Sequence, residues 1–404
     1  MSTSSSGGGS TSAEGRAPAS AIAEESRHAA FSFSRTVLAS VLVGLSAFII
    51  FIGAADQLMQ STWLAPQINE IWGVNADPAA VAGQWFTAFL LGILRAIPGA
   101  GPQTLVLITC STAASMIAII HWRLRGRGWG LGLATLAAAA IALNPIMLIM
   151  ATTGSTLLLN LVLVGLVALA FDRASAVGDA QSLMGIGLSL AALTLTTPGA
   201  IYVVLPIMVL LPLGLRDVRD AASATALFLL TLFPTFIVVA GILVAAATLG
   251  EPPKFALLRW SSPMHGVETA VNAPWLAEHG GSFTNPFLML LTWYLMALPL
   301  AVMPAVHLLM NPMERGKPAI TLLAVLGGPL AGAAATFYWH MADPIWACAV
   351  GLAFVLAWLT SRVLAAWERL ACVALLLLGL ALAWSPLWMW AEPARQGWYA
   401  ALLG

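Results

Sequence analysis

The sequence predicts an all-α, polytopic membrane fold of about eleven spans, and three observations carry that prediction. Hydrophobic residues make up 60% of the chain and charged residues only 8%, where a soluble domain carries roughly a quarter charged residues. Apolar runs long enough to cross a hydrocarbon core of ~30 Å recur along the chain after its first stretch. Basic residues gather in alternate connections between those runs, the pattern that orients helices in a bilayer.

Residues 1–33 stand apart. Their opening, MSTSSSGGGSTSAEGRAPAS, is too poor in apolar side chains to bury a core and reads as a disordered cytoplasmic tail. The transmembrane domain then occupies 34–404. Its first apolar run, Thr36 to Ala55, has the long leading region and following small residues of a signal peptide, but its length of about 20 residues fits an uncleaved span better. Further spans are expected near 102–121, 130–148, 155–171, 182–197, 199–214, 221–248, 286–309, 319–339, 344–360 and 370–390.

The apolar stretch 79–97 decides the topology. If it stays on the outer surface, 13 basic residues fall on the cytoplasmic side: Arg16, Arg27, Arg35, Arg123, Arg125, Arg127, Arg173, Arg216, Arg219, Arg315, Lys317, Arg362 and Arg369. Only 4, namely Arg95, Lys254, Arg259 and Arg395, remain outside. Letting 79–97 cross turns the RLRGRG segment outward and scrambles the bias. The expected arrangement is therefore an inner (plasma) membrane protein with its N-terminus cytoplasmic. Two outer loops, about 56–101 and 250–285, are long enough to carry chemistry.

Basic and acidic residues balance at 17 each, which gives no electrostatic footprint for nucleic acid. Cys110, Cys348 and Cys372 lie in expected spans, at spacings of neither a disulfide framework nor a zinc site. No internal repeat is visible, which argues against inverted-repeat transporters. Asn144-Pro145, Pro198-Gly199 and Gly327-Gly328-Pro329 mark kinks or close helix packing.

The order of parts resembles the GT-C superfamily of membrane glycosyltransferases, which includes the protein O-mannosyltransferases and the aminoarabinose transferases. A first span ends in an acid, Asp56. A long outer loop follows, expected to hold helices lying along the membrane, and the second span ends in RLRGRG. The segments NPIMLIMATTGSTLLLNLVLVGLVALAFDR and MGIGLSLAALTLTTPGAIYVVLPIMVLLP then stand where that family has a helix pair and a Gly/Leu/Thr/Pro-patterned helix. The chain departs from it at Gln57, where many members have a second carboxylate. It departs again at the acid-free turn ATTGST and at Leu195, where a basic residue is frequent.

The resemblance implies sugar transfer from a polyprenyl-phosphate donor to an acceptor hydroxyl at the outer face, with Asp56 as general base. Glu70 and Asp77 share its loop as assisting acids, although Asp77-Pro78 also reads as a helix start. Arg95, Lys254 and Arg259 are the cations that would meet the donor phosphate; Arg95 reads equally as a side chain snorkelling to the interface. Trp63, Trp72 and Trp85 are candidates for stacking on the sugar, within an interfacial tryptophan belt that needs no ligand. The family chemistry leaves room for a divalent metal, but His265 and His279 have no ligand spacing, and Asp343 before Pro344 reads as a helix cap. The partners so implied are a lipid-linked sugar donor and membrane lipid. Two rival readings are a non-catalytic membrane subunit of a glycoconjugate assembly system, and a transporter or permease. The spans offer the latter few ionisable groups, His307 among them.

Overall fold

The computed structural model describes residues 19–59, 91–152, 157–177, 180–196, 203, 207, 221–248, 286–311, 319–339 and 344–385. Its regular elements are all helical: α1 Ala19–Met59, α2 Pro102–Gly126, α3 Leu131–Ala142, α4 Pro145–Thr152, α5 Leu157–Val177, α6 Ala180–Thr196 and α7 Ala221–Thr248. After these come α8 Pro286–Ala297, a 3-10 turn Pro299–Val302, α9 Met303–Met310, α10 Ala319–Trp339, α11 Pro344–Ser361 and α12 Ala366–Ala383.

Among the described residues, four helices are each long and apolar enough to cross a membrane, and six spans result if each of two bent pairs counts as one. Helices α6, α7, α10 and α11 contribute shorter apolar stretches. The expected span at 199–214 lies outside the described residues except for Val203 and Ile207, both buried. α1 begins at Ala19, within the segment read as tail, because the Ala-rich stretch after Pro18 favours helix. Leu38, Leu42, Leu45 and Ile49 form an exposed apolar ridge along α1, a surface suited to lipid rather than water.

α1 and α2 run antiparallel. Ser40 meets His121 at 2.8 Å, and four residues later a Cβ on Gly44 would stand 2.8 Å from Ala118 Cβ and 3.2 Å from Ala114 O. Small residues four apart on α2 thus let the two backbones close. Continued along both helices, this register carries Asp56 to about the level of Thr104. The connection 57–101 therefore returns to the face it left. Leu91 to Arg95, at its end, is helical, and the chain turns through Gly99 (φ +82°) before Pro102.

The same reasoning orients the rest. Thr135 Oγ1 lies 3.3 Å from His121 Nε2, so α3 starts beside the end of α2. Thr196 Oγ1 donates to Asn160 Oδ1 at 2.7 Å, which makes α5 and α6 an antiparallel hairpin. In α7, Pro234 deprives Leu230 O of its helical donor. A Cβ on Gly187 of α6 would sit 2.5 Å from that carbonyl, so the glycine lets α6 close on the irregular turn. α10 packs on α11 equally closely: a Cβ on Gly328 would stand 2.5 Å from Ala347 O and 2.8 Å from Gly351 Cα. Tyr294 of α8 fills the notch at Gly351, and its hydroxyl donates to Ala324 O at 2.6 Å.

Two helices break inside the apolar layer. α3 and α4 meet at 63°, and α8 meets the 3-10 turn and α9 at 106°. The first break is built by Asn144, whose Oδ1 accepts from Ile146 N at 3.0 Å while Pro145 opens α4. The second follows from Pro299, which offers no N–H to continue α8. Carbonyls freed at a break cannot turn to water inside a bilayer. Asn144 Nδ2 donates to Ala297 O at 3.2 Å, and Trp384 Nε1 to Leu143 O at 3.1 Å. Gly379 of α12 lies against Ala297 and Pro299. One amide, one indole and one close helix approach hold both breaks together.

Candidate functional site

The register of α1 and α2 defines two polar faces. At one lie Asp56, exposed after the buried Ala54 and Ala55, and Arg95, exposed at the end of its short helix. These are the sequence-predicted site residues that the structure describes, and both stand at this face. Glu70, Asp77, Trp63, Trp72, Trp85, Lys254 and Arg259 lie outside the described residues, as do His265, His279 and Asp343. Among the described residues, no three His, Cys, Asp or Glu side chains gather as a metal would need.

The opposite face carries Arg35, where the apolar span of α1 begins, and Arg123, Arg125, Arg127, Arg173, Arg362 and Arg369, at the ends of α2, α5, α11 and α12. Many of these side chains close loops between helices. Arg125 Nη1 donates to Trp129 O at 2.7 Å, and Arg127 Nε to Thr360 O at 3.3 Å. Arg369 reaches Leu364 O at 2.8 Å and also Gly128 O. Arg362 pairs with Asp172 at 2.8 Å, tying α11 to α5. The described arginines thus sit overwhelmingly at one face, with Arg95 at the other.

Just inside the arginine layer lie two buried histidines. His121 is fully buried between Ser40 and Thr135. With the Ser40 proton given to Thr36 O at 2.9 Å, its oxygen accepts from Nδ1–H, and Nε2 accepts from Thr135. The ring stitches three helices together. His307 Nδ1 lies 2.6 Å from Glu368 Oε1 and 3.0 Å from Asn311 Nδ2. Nδ1 can serve only one of them, and the shorter, charge-assisted contact to the carboxylate prevails. Glu368 Oε2 also accepts from Ala365 N at 2.7 Å, capping α12, while Trp358 stands edge-on to the imidazole at 5.7 Å.

This arrangement favours structure over proton transport, because one carboxylate oxygen caps α12 and the other ties that helix to His307 of α9. Glu368→Gln keeps an oxygen for the Ala365 cap and is expected to cost about 1 kcal/mol. Glu368→Ala strips both partners and costs about 3 kcal/mol. Thermal unfolding in detergent micelles checks the order; equal effects of the two changes would show that the cap contributes nothing.

Sequence reasoning singled out His307 but not Glu368, His121 or the Asp172–Arg362 pair. Glu368 stands 61 positions from His307, just before an expected span, where it reads as a solvated flank. The legible signal was its place three residues after Ala365, a capping position. A cavity of about 540 Å³ opens at the arginine face, lined by Arg123, Arg127, Arg173, Asp172 and the start of α6.

Compared with family models, curated proteins and solved structures, the chain matches none.

Proposed function

We propose that this protein is a GT-C-like glycosyltransferase with about eleven spans that takes a sugar from a polyprenyl-phosphate donor at the outer face of an inner membrane. One observation carries the reading: α1 and α2 are antiparallel, so Asp56 and Arg95 share the face opposite the arginine-rich helix ends. By the positive-inside rule the arginine face is cytoplasmic, which turns Asp56 toward the outer leaflet. A carboxylate at that depth meets the requirement of the reaction, since a lipid-held donor presents its phosphate at the bilayer edge. Asp56 takes the proton from the acceptor hydroxyl as its oxygen attacks the anomeric carbon, and the polyprenyl phosphate leaves. Arg95 is the described cation at this face that would offset the charge of the leaving phosphate.

Asp56→Asn is expected to lower sugar transfer in proteoliposomes at least about 100-fold, with the fold unchanged by circular dichroism. A rate within a few-fold of the parent would remove Asp56 from the mechanism.

A second reading, transport, draws on the two breaks joined by Asn144 and Ala297, since transporters place substrate sites at discontinuous helices. Residues 145–152 are all buried, so the break is packed with side chains rather than open to a solute. Accumulation of a labelled solute against its gradient in proteoliposomes would favour this reading over transfer.

A further inference from the structure

We infer that the cavity at the arginine face binds the phosphate headgroup of an anionic membrane lipid. The site lies across the protein from Asp56, so it stands or falls separately from the transferase reading.

Its charge is the first argument. Arg123 and Arg127 come from the end of α2 and Arg173 from α5, and all three line one space. Asp172 lines it too, but its carboxylate is held by Arg362 at 2.8 Å. Counting Asp179, which lies outside the described residues, as a full negative charge still leaves the set cationic. Three guanidinium groups concentrated around a cavity repel one another and are stabilised by an anion between them. Arginine offers a planar fork of donors suited to phosphate oxygens.

The second argument is the start of α6. Gln181 and Ser182, in the first turn of this 17-residue helix, line the same cavity, and Ser182 is only 4% exposed. First-turn N–H groups have no intrahelical acceptor, and the helix dipole points its positive end at whatever fills the space.

The remaining wall selects a lipid over a soluble phosphate. Leu166, Leu169 and Ala170 follow α5 away from the arginines at spacings that share one face. Leu166 is 48% exposed, so this apolar strip opens onto the surface that faces hydrocarbon. A cationic end joined to an open apolar strip has the polarity of a phospholipid. Its depth, where spans end, is that of the phosphate layer, and basic pockets between helices at this level are suited to anionic headgroups.

The test uses the full-length protein in phosphatidylcholine nanodiscs doped with phosphatidylglycerol, with retained lipid counted by native mass spectrometry. Retention of phosphatidylglycerol above its bulk fraction is expected. Arg123→Gln and Arg173→Gln should each weaken it about fivefold. Both side chains are exposed, and circular dichroism reports whether each variant is folded; should Arg173→Gln misfold, Arg123→Gln decides alone. Arg35→Gln removes the same charge from the same face outside the cavity and should leave retention unchanged. Equal loss in Arg35→Gln would reduce the effect to diffuse surface charge and overturn the proposal, as would retention unaffected by any variant. Binding of inorganic phosphate in pure phosphatidylcholine discs, with millimolar phosphate displacing phosphatidylglycerol, would reassign the cavity to a soluble anion.

Discussion

Asn144→Leu is expected to destabilise the protein by about 3 kcal/mol, because one substitution removes two interactions that nothing else replaces. Loss of the Oδ1 cap leaves Ile146 N without its acceptor at the start of α4, worth about 1 kcal/mol. Loss of Nδ2 strands Ala297 O at the end of α8, and an unsatisfied buried carbonyl costs about 2 kcal/mol. Leucine is nearly isosteric, so packing changes little and the polar terms dominate. Asn144→Ser retains a capping oxygen but does not reach Ala297, and should recover only the smaller share. Thermal or denaturant unfolding in micelles would separate the two terms. A leucine variant as stable as the parent would mean that the breaks are held by packing alone.

Gly328→Val is expected to be the more damaging change. Even a Cβ at this position would overlap Ala347 O and the Gly351 backbone, and neither can move without shifting all of α11. Branching at Cβ adds atoms where the helices already touch. Overpacking of this kind costs up to about 3 kcal/mol where neighbours can yield, and here the neighbours are backbone. The expected result is failure to recover a monodisperse protein, with Gly328→Ala intermediate. Gly53→Ala, where nothing beyond its own helical turn lies within 4 Å of the added Cβ among the described residues, is the matched control. Normal yield and melting temperature for Gly328→Val would contradict the close approach of α10 and α11.

How far the sequence could be read follows from the range of each interaction. Membrane class and helical fold were legible because they rest on composition and run length, which are local. The return of residues 57–101 to the face they left was legible from charge bias, since 79–97 had only two alternatives. Asn144-Pro145 announced its break, and the Gly327-Gly328-Pro329 run marked close packing at Gly328. The bend at Pro299 was not foreseen, and 286–309 read as one continuous span. Proline in a membrane helix bends it sharply only if another group satisfies the freed carbonyl, and Asn144 lies 153 positions away.

Charge bias and the resemblance of layout point to the face with Asp56, and of the residues expected there the structure describes Asp56 and Arg95. The opposite face is hidden in the sequence for a different reason. Arginines at span ends read as topology signals, and nothing in their spacing tells that Arg123, Arg127 and Arg173 line one cavity. That grouping depends on α5 lying beside the end of α2, a contact between helices that neither helix records in its own residues.

The link from Trp384 to Leu143 spans 241 positions, as does that from Arg369 to Gly128. During synthesis, therefore, the elbow between α3 and α4 waits in the bilayer with an unmet carbonyl until the chain's last described helix has left the ribosome. A premature stop that spares everything up to residue 365 would still leave Leu143 O and Gly128 O without the side chains that meet them. For such a product, quality-control proteases would encounter a defect near its beginning rather than near its cut end.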